Sequence, residues 1–167
     1  RDAAVCPRFT DILLYLSFFP QLVAGPIVRS SDFLPQLAQP VPARVPLALP
    51  LLLILGGLFK KVVIANELAT RLVDPVFFDP SRFDAVDRLL GAYGYAVQIY
   101  CDFSAYSDIA IGLAALLGYR FPINFNQPYR SASLREFWRR WHISLSSWLR
   151  DYLYKPLGGS RSGSAGT

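Results

Sequence analysis

Charge is scarce in this chain. Only 17% of its 167 residues are charged while 53% are hydrophobic, whereas an ordinary soluble domain carries about 25% charged residues. With a positive mean hydropathy, that balance excludes a conventional soluble domain and favours solution in lipid. Methionine is absent, the chain opens on Arg1, and it closes on a string of small residues over 160–167. The expectation is a single truncated membrane domain over residues 1–167, the central portion of a longer protein. The start has no signal-peptide pattern. Two cysteines, Cys6 and Cys101, are too few for a disulfide framework or a metal-ligand set, and Cys101 lies in an apolar run where it packs as a small hydrophobe. Metal-ligand spacing, a GxSxG elbow and a glycine-rich phosphate loop are all missing, so no metal and no bound cofactor are expected.

Acid is the scarcer sign: 12 Asp and Glu stand against 17 Lys and Arg, a net charge of +5. A nucleic-acid binder would gather its cations in a patch on a soluble surface. Here they punctuate apolar runs, so the partner expected is membrane lipid and not nucleic acid.

The apolar runs indicate an all-α, multi-pass membrane protein with broken or re-entrant segments. Residues 12–28 (ILLYLSFFPQLVAGPIV) are apolar throughout, yet Pro20 and Gly25-Pro26 each disrupt a helical ladder. Non-helical backbone at bilayer depth survives only inside protein or along a cavity, so this segment should face inward. Residues 29–46 are a polar connection whose prolines prevent a long helix. Residues 45–59 are the cleanest bilayer segment, but they cover only about 22 Å of a roughly 30 Å hydrocarbon core. Residues 62–65 extend it, with Lys60 and Lys61 either snorkelling to headgroups or turned into protein. Residues 66–88 hold many of the acidic side chains and read as a surface connection, with Asp74-Pro75 and Asp79-Pro80 as turn starts. Residues 89–119 can span a membrane but are interrupted by Gln98, Asp102, Ser104, Ser107 and Asp108. A carboxylate near mid-bilayer costs about 2.5–3.5 kcal/mol, so Asp102 and Asp108 belong in a bundle interior or a watery cavity. Gln98, Asp102 and Tyr106 share one helix face, and the broken segment 12–28 and the interrupted segment 89–119 should pack together, with Asp102 away from lipid. Residues 122–128 are a turn-rich link.

Ser133 and Glu136 form a capping box, which predicts a helix from Leu134. Helical stepping gathers Phe137, Trp138, Trp141, Trp148 and Tyr152 on one arc and Arg135, Arg139, Ser146 and Arg150 on the other, with His142 at the border. This is an interfacial amphipathic helix, aromatic at headgroup level with cations beside it. Its excess of Arg and Lys over Glu136 and Asp151 places it on the cytoplasmic side.

His142 is the only histidine and the only side chain with an unperturbed pKa near neutrality. It is either structural, bonding a backbone carbonyl, or a general base for a thioester-bearing or anionic donor. Ser146, four residues on, is either its partner or bonded within its own helix.

The run FWRRWHISLSSWLRDYLYKPLGG at 137–159 resembles the signature of the alginate O-acetyltransferase branch of the membrane-bound O-acyltransferase (MBOAT) superfamily. SFFPQLVAGPIVR at 17–29, QIYCDFSAYSDIAIG at 98–112 and NFNQPYRSASLREFW at 124–138 agree with it in order, so the resemblance covers nearly the whole chain. It implies a ring of transmembrane helices with re-entrant segments in a bacterial inner membrane. It also implies transfer of an acyl group, often acetyl, from acetyl-CoA or a carrier-linked thioester to hydroxyls of alginate or another cell-envelope polymer, directly or through a partner acetyltransferase. His142 matches the family's WHxSLS histidine. Arg139, Arg140 and Arg150 become a positive rim, Ser146 and Asp151 supporting candidates, and Asp102 and Asp108 second-tier ones. A second family histidine in a later leucine-tryptophan-histidine-glycine pattern is not in this chain, so the isolated fragment should be inactive. Ala105 stands where glycine is usual and Lys155 where an apolar residue is usual.

The competing readings are a transporter or channel fragment, with an ion path lined by Asp102 and Asp108 and no need of His142, and a non-catalytic membrane scaffold.

Overall fold

The computed structural model describes residues 8–22, 25–40 and 45–159, so Cys6 and the 160–167 string lie outside the described residues. Among the described residues every regular element is helical. They divide into two compact units: residues 8–17, 26–39 and 121–159 form one, and residues 18–22, 25, 40 and 45–120 form the other.

Two long helices dominate the second unit, α4 (Ala48–Phe78) and α5 (Ala85–Leu116), and both are long and apolar enough to cross a membrane. Asp84 begins α5 by accepting the Asp87 N–H on its side chain at 2.8 Å. Gly118 ends it at φ +88°, while the Gly118 and Tyr119 N–H groups reach back to the Ala115 and Ala114 carbonyls at 3.0 and 2.8 Å. This is a Schellman closure, which needs a residue free to turn left-handed. The helix runs unbroken through Ala105, which is fully buried.

α4 corrects the reading of residues 66–88. The helix does not stop at Ala65 but continues to Phe78 through two π turns, Phe59–Ala65 and Ala69–Val73. Asp74-Pro75 lies inside it, in the first turn after the second π segment. Where the ladder changes register a missing proline N–H removes little. The connection shrinks to residues 79–84, with Asp79-Pro80 opening a 3₁₀ turn as expected.

α4 and α5 pack through small residues. A Cβ built on Gly57 would stand 2.8 Å from the Ala105 carbonyl oxygen, and one on Gly112 would stand 2.8 Å from that of Pro50. Backbones this close are the device of membrane helix pairs, which lack a hydrophobic driving force and associate by close packing. The opposite face of α4 stays apolar and open, with Leu52 68%, Leu55 63% and Val62 56% exposed. From the broken segment, α2 (Phe19–Leu22) packs on α5, and Phe18 meets Tyr119 edge-on at 5.2 Å.

In the first unit, α1 (Phe9–Ser17) and α3 (Ser30–Leu37) pack together around Phe33, which is fully buried against Tyr15 at 5.8 Å and Phe121 at 6.4 Å. The Tyr15 hydroxyl donates to the Val28 carbonyl at 2.9 Å. Residues 26–29 have no regular secondary structure and 121–127 form an irregular link, and these two stretches position the site.

Candidate functional site around His142

The capping box forms at Leu134: Ser133 Oγ accepts the Glu136 N–H at 3.2 Å, while the Glu136 carboxylate accepts the Ala132 N–H at 2.9 Å in place of the cap residue's own. The helix it starts, α6 (Leu134–Arg140), is short. The chain reverses at Trp141 and His142 and resumes as α7 (Ile143–Leu149), followed by a π turn over Arg150–Tyr154. The continuous amphipathic helix expected from the periodicity is therefore two helices with a break, and the three tryptophans do not share one arc.

The break has an identifiable cause. The 121–127 link competes for the backbone: the Asn126 N–H donates to the Arg140 carbonyl and the Ile143 N–H to the Asn124 carbonyl, both at 2.9 Å. His142 itself takes φ +44°, ψ +58°. A left-handed backbone costs an L-residue on the order of 1–2 kcal/mol, and the two bridging bonds with the Trp141 packing offset it. Trp141 stacks on Phe137 at 5.5 Å and meets Phe125 edge-on at 5.1 Å. Phe125 also lies nearly parallel to the His142 imidazole, 6.4 Å between centroids and 19° between planes.

The side chains converge on Asn124, which is 1% exposed. Its Oδ1 stands 2.9 Å from His142 Nδ1, 2.9 Å from Ser144 Oγ and 3.3 Å from the Ser144 N–H. Ser144 Oγ in turn accepts the Ile27 N–H at 2.9 Å, which ties the stretch after Gly25-Pro26 to the same cluster. Burial holds the His142 pKa below the ordinary imidazole value.

The other candidates are distributed around this centre. Arg140 Nη2 pairs with Glu136 at 2.5 Å, and Arg139 is exposed. The Glu136 carboxyl is held below its usual range by the Ala132 N–H and by Arg140. Ser146 Oγ donates to the Trp138 carbonyl at 3.2 Å, reaching across the break to the preceding helix. Asp151 joins Lys155 at 2.6 Å and Arg29 at 2.7 Å, and these cations hold its carboxyl well below the usual carboxylate range. Arg150 is 61% exposed and only 3.6 Å from Asp151, while Arg29 also covers the Tyr152 ring at 5.4 Å. An open groove of about 390 Å³ shares Tyr129 and Phe137 with the aromatic cluster.

Asp102 and Asp108 belong to the other unit, where each meets a lysine of α4. Lys60 Nζ lies 2.5 Å from Asp108 and 2.9 Å from Ser104 Oγ; Lys61 pairs with Asp102 and covers the Tyr106 ring at 5.3 Å. Both lysines thus turn into protein. Among the described residues no group of three His, Cys, Asp or Glu side chains is arranged to hold a metal ion.

Asn124, Ser144 and the Ile27 amide are the participants that sequence reasoning missed. The signal available was a buried-type polar residue, Asn124, inside the irregular link before Pro128, but nothing local ties it to a histidine eighteen positions later.

The chain is 46% identical over 162 residues to the "Probable alginate O-acetylase AlgI" of Azotobacter vinelandii, covering 96% of this chain and 32% of that protein. It is 44% identical over 157 residues to the "Peptidoglycan O-acetyltransferase" of Helicobacter pylori, covering 92% and 30%. To the "Teichoic acid D-alanyltransferase" of Streptococcus thermophilus it is 34% identical over 167 residues, covering 94% and 40%. The chain therefore spans about a third of the length of the first two relatives and somewhat more of the third. The family profile described as "MBOAT, membrane-bound O-acyltransferase family" matches residues 3–167, and the chain belongs to that family.

Proposed function

We propose that this chain carries part of the active site of an O-acyltransferase that moves an acyl group, acetyl above all, from a thioester to hydroxyls of a cell-envelope polymer. The observation that carries this reading is the setting of His142: the sole imidazole, half-buried and therefore kept neutral, held at a left-handed break by the 121–127 link. A hydroxyl is a poor nucleophile near neutral pH, and a neutral imidazole that takes its proton during attack contributes roughly 10²–10⁴-fold. The acceptor oxygen forms its bond to the acyl carbon, the thiolate leaves, and the proton held on His142 returns to that sulfur. The donor is acetyl-CoA or a carrier-linked thioester. The acceptor is a polysaccharide or related envelope polymer, the class on which the relatives' names say they act, reached directly or through a partner acetyltransferase.

The chain sits in a bacterial inner membrane as part of a multi-pass domain. α4 and α5, both long and apolar enough to cross a membrane, are its spans in this reading, and the basic stretch from Arg135 to Lys155 faces the cytoplasm, in keeping with the positive-inside tendency. Arg139 and Arg150, both exposed, supply the positive rim that an anionic donor would meet.

The test is His142→Gln in the complete protein, which keeps a polar side chain of similar reach but cannot accept the proton. Polymer acetylation at equal protein level should fall by about 10²-fold or more. If more than about a tenth of wild-type transfer remains, the general-base role is wrong, because general-base loss exceeds that margin.

A further inference from the structure

We infer that Asn124 is a positioning residue for His142, holding its imidazole in the tautomer with the proton on Nδ1 and the basic lone pair on Nε2; the inference rests on the general-base reading above. The assignment follows from donors that have no alternative role. The Ser144 backbone N–H can only donate, and it points at Asn124 Oδ1 at 3.3 Å, so the atom there is the amide oxygen. The Ser144 hydroxyl accepts the Ile27 N–H at 2.9 Å, and its own proton goes to the same oxygen at 2.9 Å. An amide oxygen only accepts. His142 Nδ1, 2.9 Å from it, therefore faces it as N–H. A neutral imidazole has one N–H, which puts the lone pair on Nε2, the nitrogen turned away from Asn124.

Asn124 is built not to move. It is 1% exposed, its backbone carbonyl is engaged by the Ile143 N–H at 2.9 Å, and its Oδ1 accepts three hydrogen bonds. The choice of amide over carboxylate also matters. An amide fixes the tautomer while favouring neutral imidazole, whereas a carboxylate in the same place would stabilise imidazolium. The chain Ile27 N–H, Ser144, Asn124, His142 thus connects the stretch after Gly25-Pro26 to the proton-accepting nitrogen.

Histidine-labelled ¹⁵N NMR of the complete protein in detergent, assigned by subtracting the His142→Gln spectrum, reads the tautomer directly. The expected spectrum has Nδ1 protonated and Nε2 not. Asn124→Leu should release the ring toward Nε2–H and lower polymer acetylation by about 10²-fold or more. Asn124→Asp should keep Nδ1–H, retain transfer, and move the acid limb of the pH profile upward, a displacement that a purely structural asparagine would not produce. If Asn124→Leu does not fold, the wild-type and Asn124→Asp spectra still decide. The inference is overturned by an Nε2–H tautomer in the wild type, by an unchanged ring in Asn124→Leu, or by an unmoved acid limb in Asn124→Asp. Failure of the general-base reading looks different: His142→Gln stays active while the wild-type ring still shows Nδ1–H.

Discussion

Lys60 places its ammonium 2.5 Å from the Asp108 carboxylate, joining α4 to α5 through an ion pair that is only about a quarter to a third exposed at either side chain. Two charges in an apolar helix pair repay their desolvation only together, and removing one strands the other. Asp108→Leu should therefore destabilise the complete protein by about 1.5–3 kcal/mol, the range for hydrogen bonds to charged groups. Lys60→Leu/Asp108→Leu together should recover most of that loss. Melting of the detergent-solubilised protein followed by tryptophan fluorescence checks it; a double variant less stable than either single one would refute the pairing.

Adjacent glycines in α4 should respond in opposite directions to the same substitution. Gly56 has nothing within 4 Å of where a Cβ would stand, whereas one on Gly57 would lie 2.6 Å from Ile109 and 2.8 Å from the Ala105 carbonyl oxygen. Gly56→Ala should stabilise by roughly 0.5–1 kcal/mol, the ordinary helical gain. Gly57→Ala must push a backbone carbonyl away and should lower the melting temperature. Equal shifts of one sign would mean that α4 and α5 do not pack as closely as described.

Asp151 should make stability depend on acid. Lys155 and Arg29 hold its pKa below the ordinary value, so its ion pairs contribute fully above the unfolded pKa, near 4, and that contribution is lost as pH falls toward the depressed folded value. Asp151→Asn should thus lower the melting temperature at pH 7, and the gap to wild type should narrow below pH about 4. A gap that stays constant with pH would show that the pairs carry no linked stability.

What was legible in the sequence was local. The long α5, the disruption around Pro20, the Ser133 cap and the Asp79-Pro80 turn each follow from residues within a turn or two of the feature. The two misreadings had distant causes. α4 runs past Asn66 and Asp74-Pro75 because the proline falls where the π register changes and α5 supplies small residues to pack on; acidic composition and the Asp-Pro pairs argue for a loop. The helix from Leu134 breaks at His142 because Asn124 and Asn126, more than a dozen positions upstream, claim its backbone. A helical wheel contains no information about such a competitor. The same long-range bonding kept Asn124 and Ser144 out of sight, although His142 was visible as the sole imidazole.

The acid limb of acyl transfer should have its midpoint below the unperturbed histidine value of about 6.5. Burial alone accounts for the lowered pKa of His142. Asn124 and Phe125, which both meet the ring, carry no charge, nor does Ser144 on the far side of Asn124. On the preceding helix Arg139 is exposed and Arg140 is paired with Glu136. Because the folded pKa lies below the unfolded one, the folded state binds fewer protons in the window between them. His142 therefore costs no stability above about pH 6.5 and an increasing amount as pH falls through the folded pKa. Activity should survive to lower pH than an exposed imidazole would allow. The Phe125 ring is the part of that burial most open to change, since it lies nearly parallel to the imidazole. Phe125→Ala admits water to one face, weakens the desolvation, and should move the acid limb up toward 6.5 while leaving the alkaline plateau within about tenfold, because the Nδ1 bond to Asn124 is kept. Membranes containing the complete protein, supplied with acetyl-CoA and assayed for polymer acetylation across pH 4.5–8.5, supply the comparison. A wild-type midpoint at or above 6.5, or a Phe125→Ala limb that moves downward, would rule out a desolvated neutral imidazole as the base.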